Sequence, residues 1–321
     1  MAGERVHRIA HERDIAAPAG VVYGLIAHAE SWPLFLAPTV HVEPLECGTH
    51  HERIRAWSTI DGAVRCTVSR RTLDPERRRI DFSYEPAPAP VSMMRGQWHV
   101  DERGPHACRL VLRHEYRTPP GPPGQTARIG RVLAAADAAV LQRLQHLAQR
   151  FSELDDLVLT FEDHIRVKGP AELVYDFLYR VGEWPGVVAH VRRAELAEEE
   201  PGIQHVAMDV AGTDGVVRPT ESVRVCFPHA GRLIHKQTLT VPMVAARTGE
   251  WQVLPDTSGV VVVCRQSLLV RPEEIEPVLG PGTDLRAARR HLRTQLGHQA
   301  GNVLDLARRH AENAIEVIHL S

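Results

Sequence analysis

The chain has 321 residues, of which 43% are hydrophobic, 24% charged and 5% aromatic. That length suits about two domains of ~150 residues, and the composition rules out a disordered or fibrous chain. With 38 Lys+Arg against 40 Asp+Glu the formal charge is −2, so no basic excess marks a nucleic-acid or anionic-membrane partner. Two of the basic residues, Lys168 and Lys236, are lysine and the rest are arginine, so a single arginine is a weak signal. Cys47, Cys66, Cys108, Cys226 and Cys264 are odd in number and form no CxxC, which argues against a disulfide framework or zinc ribbon. The opening MAGERVHRIAHERD is too polar for a signal peptide, and no apolar run approaches ~18 residues. A soluble, cytoplasmic protein is expected.

In chain order, a strand and a Pro turn lead to a short helix at roughly 19–28, followed by a Trp-Pro turn. About six short strands come next, punctuated by turn signals such as Asp-Gly at 61–62 and Asp-Pro at 74–75. The PPGPPG run at 119–124 introduces a long helix, whose apolar stripe is Ile129, Val132, Leu133, Ala136, Val140, Leu144, Leu147 and Phe151. The same order then repeats: a short helix at 171–181, a Trp-Pro turn, Asp-Gly at 214–215, and Gly-Pro-Gly at 280–282 before a second long helix.

The repeat is one of residues as well as elements. Pro18, Val22, Tyr23, Trp32 and Pro33 match Pro170, Val174, Tyr175, Trp184 and Pro185 at an offset of 152. Gly62, Arg65, Thr67, Ser69 and Arg71 match Gly215, Arg218, Thr220, Ser222 and Arg224 at 153, as Trp98 matches Trp251. The chain therefore reads as two copies of one domain, 1–152 and 156–321. Each copy is an α+β unit in which an antiparallel sheet curls around a helix and leaves a cavity.

No GxGxxG, P-loop, HExxH, GxSxG or paired CxxC is present, so no cofactor or metal site is expected. Within 64–71, Arg65, Thr67, Ser69 and Arg71 share one strand face. Alternation alone favours that face meeting solvent. Its repetition in the second copy favours a cavity wall, where hydroxyls and a guanidinium meet a ligand's oxygens. The four paired tryptophans read either as core filling or as flat walls for a planar ligand.

On these features the sequence resembles the two-domain aromatase/cyclases of bacterial type II polyketide synthesis, within the START/Bet v 1-like helix-grip superfamily. The carriers are VVYGLIAHAESWP and LVYDFLYRVGEWP, the Ser-x-Arg pairs, and Trp98 and Trp251. The resemblance implies tandem helix-grip domains, each a curved antiparallel sheet around a long C-terminal helix. It implies an enzyme that directs first-ring aldol closure and dehydration of a poly-β-ketone held on an acyl carrier protein, beside other synthase subunits. It implies no cofactor, and C7–C12 closure of a chain reduced at C9. By the same resemblance Ser69, Arg71, Ser222 and Arg224 are the catalytic residues. Trp32, Thr67, Trp98, Trp184, Thr220 and Trp251 contact substrate, with Arg95 and His114 added on strand phase. Where single-domain relatives carry a Trp and a Tyr, this chain has Thr67 and Thr39, or Thr220 and Val191, so a tyrosine acid/base role does not transfer. The alternatives are a carrier of the same fold that binds without turnover, and one catalytic copy beside a scaffolding one.

Overall fold

Pro18 and Pro170 each take φ near −60° with an extended ψ, and each hands a strand over to a short helix. They belong to a computed structural model that describes residues 5–60 and 62–319, with side chains through residue 314. Residues 1–4, at the head of the polar N-terminal stretch, and Asp61, of the expected Asp-Gly turn, lie outside the described residues, as do 320–321. Gly62 supplies the left-handed φ of 82° for that turn.

The chain divides into two compact units, Met1–Asp155 and Asp156–Ser321. The first runs β1 (Arg5–Ile15), α1 (Ala19–Ala27), α2 (Trp32–Phe35), β2 (Thr39–Cys47), β3 (His51–Ile60), β4 (Ala63–Asp74), β5 (Arg79–Tyr84), β6 (Met93–Gly104), β7 (Ala107–Thr118) and α3 (Gln125–Gln149). After α4 (Phe151–Leu157) the second runs β8 (Val158–Val167), α5 (Ala171–Tyr179), β9 (Val191–Glu200), β10 (Ile203–Ala211) and β11 (Val217–Phe227). It continues with β12 (Arg232–Leu239), β13 (Val244–Asp256), β14 (Gly259–Val270), α6 (Ile275–Leu279) and α7 (Leu285–His319).

Each unit holds one seven-stranded antiparallel sheet, in the orders β1-β7-β6-β5-β4-β3-β2 and β8-β14-β13-β12-β11-β10-β9. The first strand pairs with the last, and the remainder is a meander. With one long helix laid against each sheet, this is the α+β helix-grip arrangement. The strands expected to be short reach 12 residues in β4, β6 and β7. A 25-residue α3 is about 37 Å long, and only strands of that length can cover it.

Period-two burial sets the inner face. In β7, Cys108, Leu110, Leu112, His114, Tyr116 and Thr118 are all buried. Along α3 the buried stripe is Asp137, Leu141, Leu144, Leu147 and Ala148. Phe151, expected on that stripe, is 49% exposed, because α3 stops at Arg150 and the chain restarts as α4. Among the described residues no helix is long and apolar enough to cross a membrane.

Candidate active site

Each unit encloses a cavity between sheet and long helix, of about 200 Å³ in the first and about 140 Å³ in the second. The polar face of β4 turns inward, so that Thr67, Ser69 and Arg71 line the first cavity, while Arg65 is exposed. On β11, Arg218, Thr220, Ser222 and Arg224 line the second. Trp32 and Trp98 are walls of the first cavity, as Trp184 and Trp251 are of the second. Arg95 is the correction. Its side chain is 61% exposed and ion-paired to Glu115 at 2.6 Å, on the outer face of β6. It stands three residues from the inward Trp98, and an odd spacing puts two strand residues on opposite faces.

The matched arginines Arg71 and Arg224 do the same structural work. Arg71 donates from Nη2 to Ile26 O at 2.6 Å and from Nη1 to Ala27 O at 3.2 Å, the last carbonyls of α1. Nη1 also donates to Glu52, and the guanidinium lies 4.8 Å from the centre of the Trp32 ring. Arg224 repeats the pattern on α5, with Nη2 to Leu178 O at 2.6 Å and Nη1 to Tyr179 O at 3.3 Å. Its third partner is Gln204 Oε1 at 2.8 Å, where the first unit has Glu52. A helix C-terminus has unsatisfied carbonyls and a negative dipole end, so a buried cation satisfies both. Three of the five N–H groups on each guanidinium are thereby committed. Burial pushes both guanidinium pKa values below the usual arginine range, an effect Glu52 opposes at Arg71.

The first cavity adds a pair that the repeat does not contain. His114 Nε2 meets Asp137 Oδ1 at 3.0 Å, with both side chains 7% exposed and both residues lining the cavity. His114 Nδ1 and Asp137 Oδ2 are buried without a hydrogen-bond partner among the described residues. His11 Nε2 approaches Asp137 Oδ2 at 3.8 Å. Phe82 packs edge-on against the His114 ring, 5.6 Å between centres. Tyr84 completes the wall, its phenol pKa raised by burial and then by the Asp137 charge. By sheet register His114 corresponds to Gln266: Gly96 faces His114 across the ladder as Gly249 faces Gln266. Among the described residues no cluster of three or more His, Cys, Asp or Glu side chains is arranged to hold a metal ion.

Sequence reasoning missed Asp137, Glu52, Tyr84 and, in the second cavity, Arg247 and His235. Asp137 carried a readable signal: it stands four residues after Leu133 and three before Val140, on the apolar phase of the helix. An acid there needs a buried partner. Glu52 and Gln204 were readable only as a pair, at the repeat's own offset of 152.

The family model described as "Polyketide cyclase / dehydrase and lipid transport" matches residues 6–151. The actinorhodin polyketide synthase bifunctional cyclase/dehydratase of Streptomyces coelicolor is 34% identical over 303 residues, covering 91% of this chain and 92% of that protein. The granaticin polyketide synthase bifunctional cyclase/dehydratase of Streptomyces violaceoruber is 32% identical, over 97% of this chain and 95% of its own length. Among solved structures, the di-domain ARO/CYC BexL from the BE-7585A biosynthetic pathway is 36% identical, with a TM-score of 0.85 over 95% of this chain and 99% of that one. The di-domain ARO/CYC StfQ from the steffimycin pathway is 32% identical, with a TM-score of 0.81 over 96% of this chain and 99% of its own.

Proposed function

The chain belongs to the polyketide cyclase/dehydrase family, as an enzyme with a cyclase/aromatase role in a type II polyketide synthase system, and from that premise we propose that its first cavity carries out first-ring closure and dehydration. The substrate is a poly-β-ketone on an acyl carrier protein, closed between C7 and C12 after reduction at C9. The observation that carries this reading is the His114–Asp137 pair inside a cavity walled by Trp32 and Trp98.

A carboxylate oxygen accepts hydrogen bonds, so Asp137 places an N–H of His114 on Nε2 and leaves Nδ1 to act as the base. Methylenes between two ketones are acidic, and an imidazole is base enough to remove one proton. The resulting carbanion at C12 attacks the C7 carbonyl: one C–H bond breaks, one C–C bond forms, and the alkoxide takes the proton back from the imidazolium. Dehydration reuses the pair. A ring C–H proton goes to His114, and the hydroxyl leaves as water with a proton from the imidazolium. Loss of the C7 and C9 hydroxyls as two waters, with enolisation at C11, gives an aromatic ring. Ser69 supplies a hydroxyl donor to the alkoxide. Rigid aromatic walls select one fold of a flexible chain, which is the larger part of the problem. Arg71 acts as a positioning residue through α1 and Trp32. In the second unit Trp184, Thr220, Ser222, Arg224 and Trp251 form a substrate-binding cavity.

The test is reconstitution with a minimal polyketide synthase and ketoreductase, with and without this protein. The expected result is a shift from spontaneous shunt products to one aromatic first-ring product, lost in His114→Asn. An unchanged product profile with protein that still binds polyketide would favour a carrier.

A further inference from the structure

We propose that the second cavity is a compartment for the anionic form of a planar hydroxyaromatic or enolised 1,3-dicarbonyl ligand, selected by Arg247. The proposal rests on the polyketide reading above for the class of ligand.

Among the described residues no Asp or Glu lines the second cavity, whereas Arg218, Arg224 and Arg247 do. Arg218 is compensated by Asp214, at 2.6 and 3.1 Å. Among the described residues Arg224 bonds only neutral acceptors, the carbonyls of Leu178 and Tyr179 and the amide of Gln204. The nearest carboxylate in that network, Glu198, sits one step back, held by Gln204 Nε2 at 3.0 Å, Gly202 N at 2.8 Å and the Tyr179 hydroxyl. Among the described residues, Arg247 hydrogen-bonds to Gln266 Oε1 alone, from Nε at 3.1 Å and Nη2 at 2.5 Å.

The first cavity makes the contrast. The residue two before Gly96 is Met94, and two before Gly249 is Arg247, so the second copy has a cation where the first has a thioether. Asp137 corresponds to Leu296, since each follows the matched cavity-lining pair Ala136 and Gln295 on its long helix. The first cavity therefore has Asp137 in its wall, and its arginine is bonded to Glu52. In the other, beside the compensated Arg218, Arg224 and Arg247 have no carboxylate hydrogen-bonded to them among the described residues. A cation out of water and away from a counter-charge is costly. An anionic ligand is the group that offsets this cost.

Two histidines register the same field. Burial first, and the Arg247 charge after it, push His235 down to about 3. His190 falls to about 4 through burial, then His298 and Arg247. At neutral pH both rings are uncharged, and the cationic wall is the arginine pair. Trp184 and Trp251 supply flat walls, and a guanidinium fork suits an oxyanion conjugated in a plane. Enolised 1,3-dicarbonyls and hydroxyaromatics adjoining a carbonyl share that chemistry. The first would be substrate, the second product.

The full-length protein is titrated with two probes whose absorbance reports ionisation, benzoylacetone for the enolate and 7-hydroxycoumarin for the phenolate. The expected result is a bound-probe pKa lower than the free value by about one unit or more, a tenfold preference for the anion. Arg247→Gln and Arg247→Met, the latter carrying the first copy's residue, should both remove most of the drop, and Arg247→Lys should keep part of it. His114→Asn, in the other cavity, should leave it in place. A drop confined to benzoylacetone identifies the substrate as the ligand, and one confined to 7-hydroxycoumarin identifies the product; either supports the proposal. No drop for either probe in the wild-type protein, or a drop in both Arg247→Gln and Arg247→Met as large as in wild type, overturns it. The readout needs no turnover, so loss of the cyclase assignment would not by itself produce these failures.

Discussion

A carboxylate and an imidazole buried against each other leave one proton arrangement for a base, and that arrangement depends on the carboxylate staying an acceptor. Asp137→Asn keeps the shape of the pair but offers His114 Nε2 an amide that can donate, so the tautomer with a free Nδ1 lone pair is no longer enforced. The turnover number should fall by about 10²–10⁴-fold, the usual range for losing general acid–base catalysis, while KM stays close to wild type because Trp32 and Trp98 are untouched. Steady-state kinetics on a soluble β-polyketone mimic would measure it. More than half the wild-type rate in Asp137→Asn would remove the pair from the mechanism. Arg71 illustrates the opposite situation. Strand phase in 64–71 indicates that its side chain shares a face with Thr67 and Ser69. Nothing local indicates that the guanidinium reaches back 44 and 45 residues to Ala27 and Ile26. Its partners are backbone carbonyls, which carry no residue-type signal.

At the scale of elements, β5–β6 and β12–β13 are built on one plan with different contents. A Cβ on Gly96 would stand 2.3 Å from the Phe82 ring, and one on Gly249 would stand 2.3 Å from the His235 ring, so each glycine exists to let a ring lie over its strand. The first copy uses an apolar ring there and the second a titratable one, which makes the second sheet acid-sensitive. His235 at about 3 and His190 at about 4 lie below the ~6.5 of an unfolded histidine. Between those values the unfolded chain binds more protons, so stability is full above about pH 6.5 and declines as pH falls toward 4. In urea unfolding, His235→Phe should therefore lose less midpoint concentration than wild type between pH 7.5 and 5. An identical loss would mean that His235 does not take part. Short helices, turns and closing helices were legible because Pro, Gly and three- or four-residue apolar steps are local signals. Arg95 was misplaced for want of a strand register: its phase relative to Trp98 decides its face, and the phase was readable only once both were assigned to one strand.

For the whole molecule the informative property is duplication with divergence. Matches at offsets of 152 and 153 identified two copies, and they also concentrated attention on residues that agree between copies. The groups that distinguish the cavities, Asp137 against Leu296, Met94 against Arg247 and His114 against Gln266, are those that disagree, so a search for repeats passes over them. Duplication also dictates how damage spreads. The described apolar clusters around Ile54 and Tyr116 draw only on the first unit, and those around Leu178 and Leu268 only on the second. Leu147 on α3 is 2% exposed and Leu304 on α7 is 3% exposed, and neither lines its cavity. Truncating either to alanine should cost about 2–5 kcal/mol through lost burial and a residual void. Amide hydrogen exchange resolves where that loss falls. Leu147→Ala should speed exchange across β4–β7 and leave β11–β14 protected, and Leu304→Ala should do the reverse. Equal acceleration of both sheets by either substitution would show that the two cores open as one cooperative unit, against the partition that the buried clusters describe.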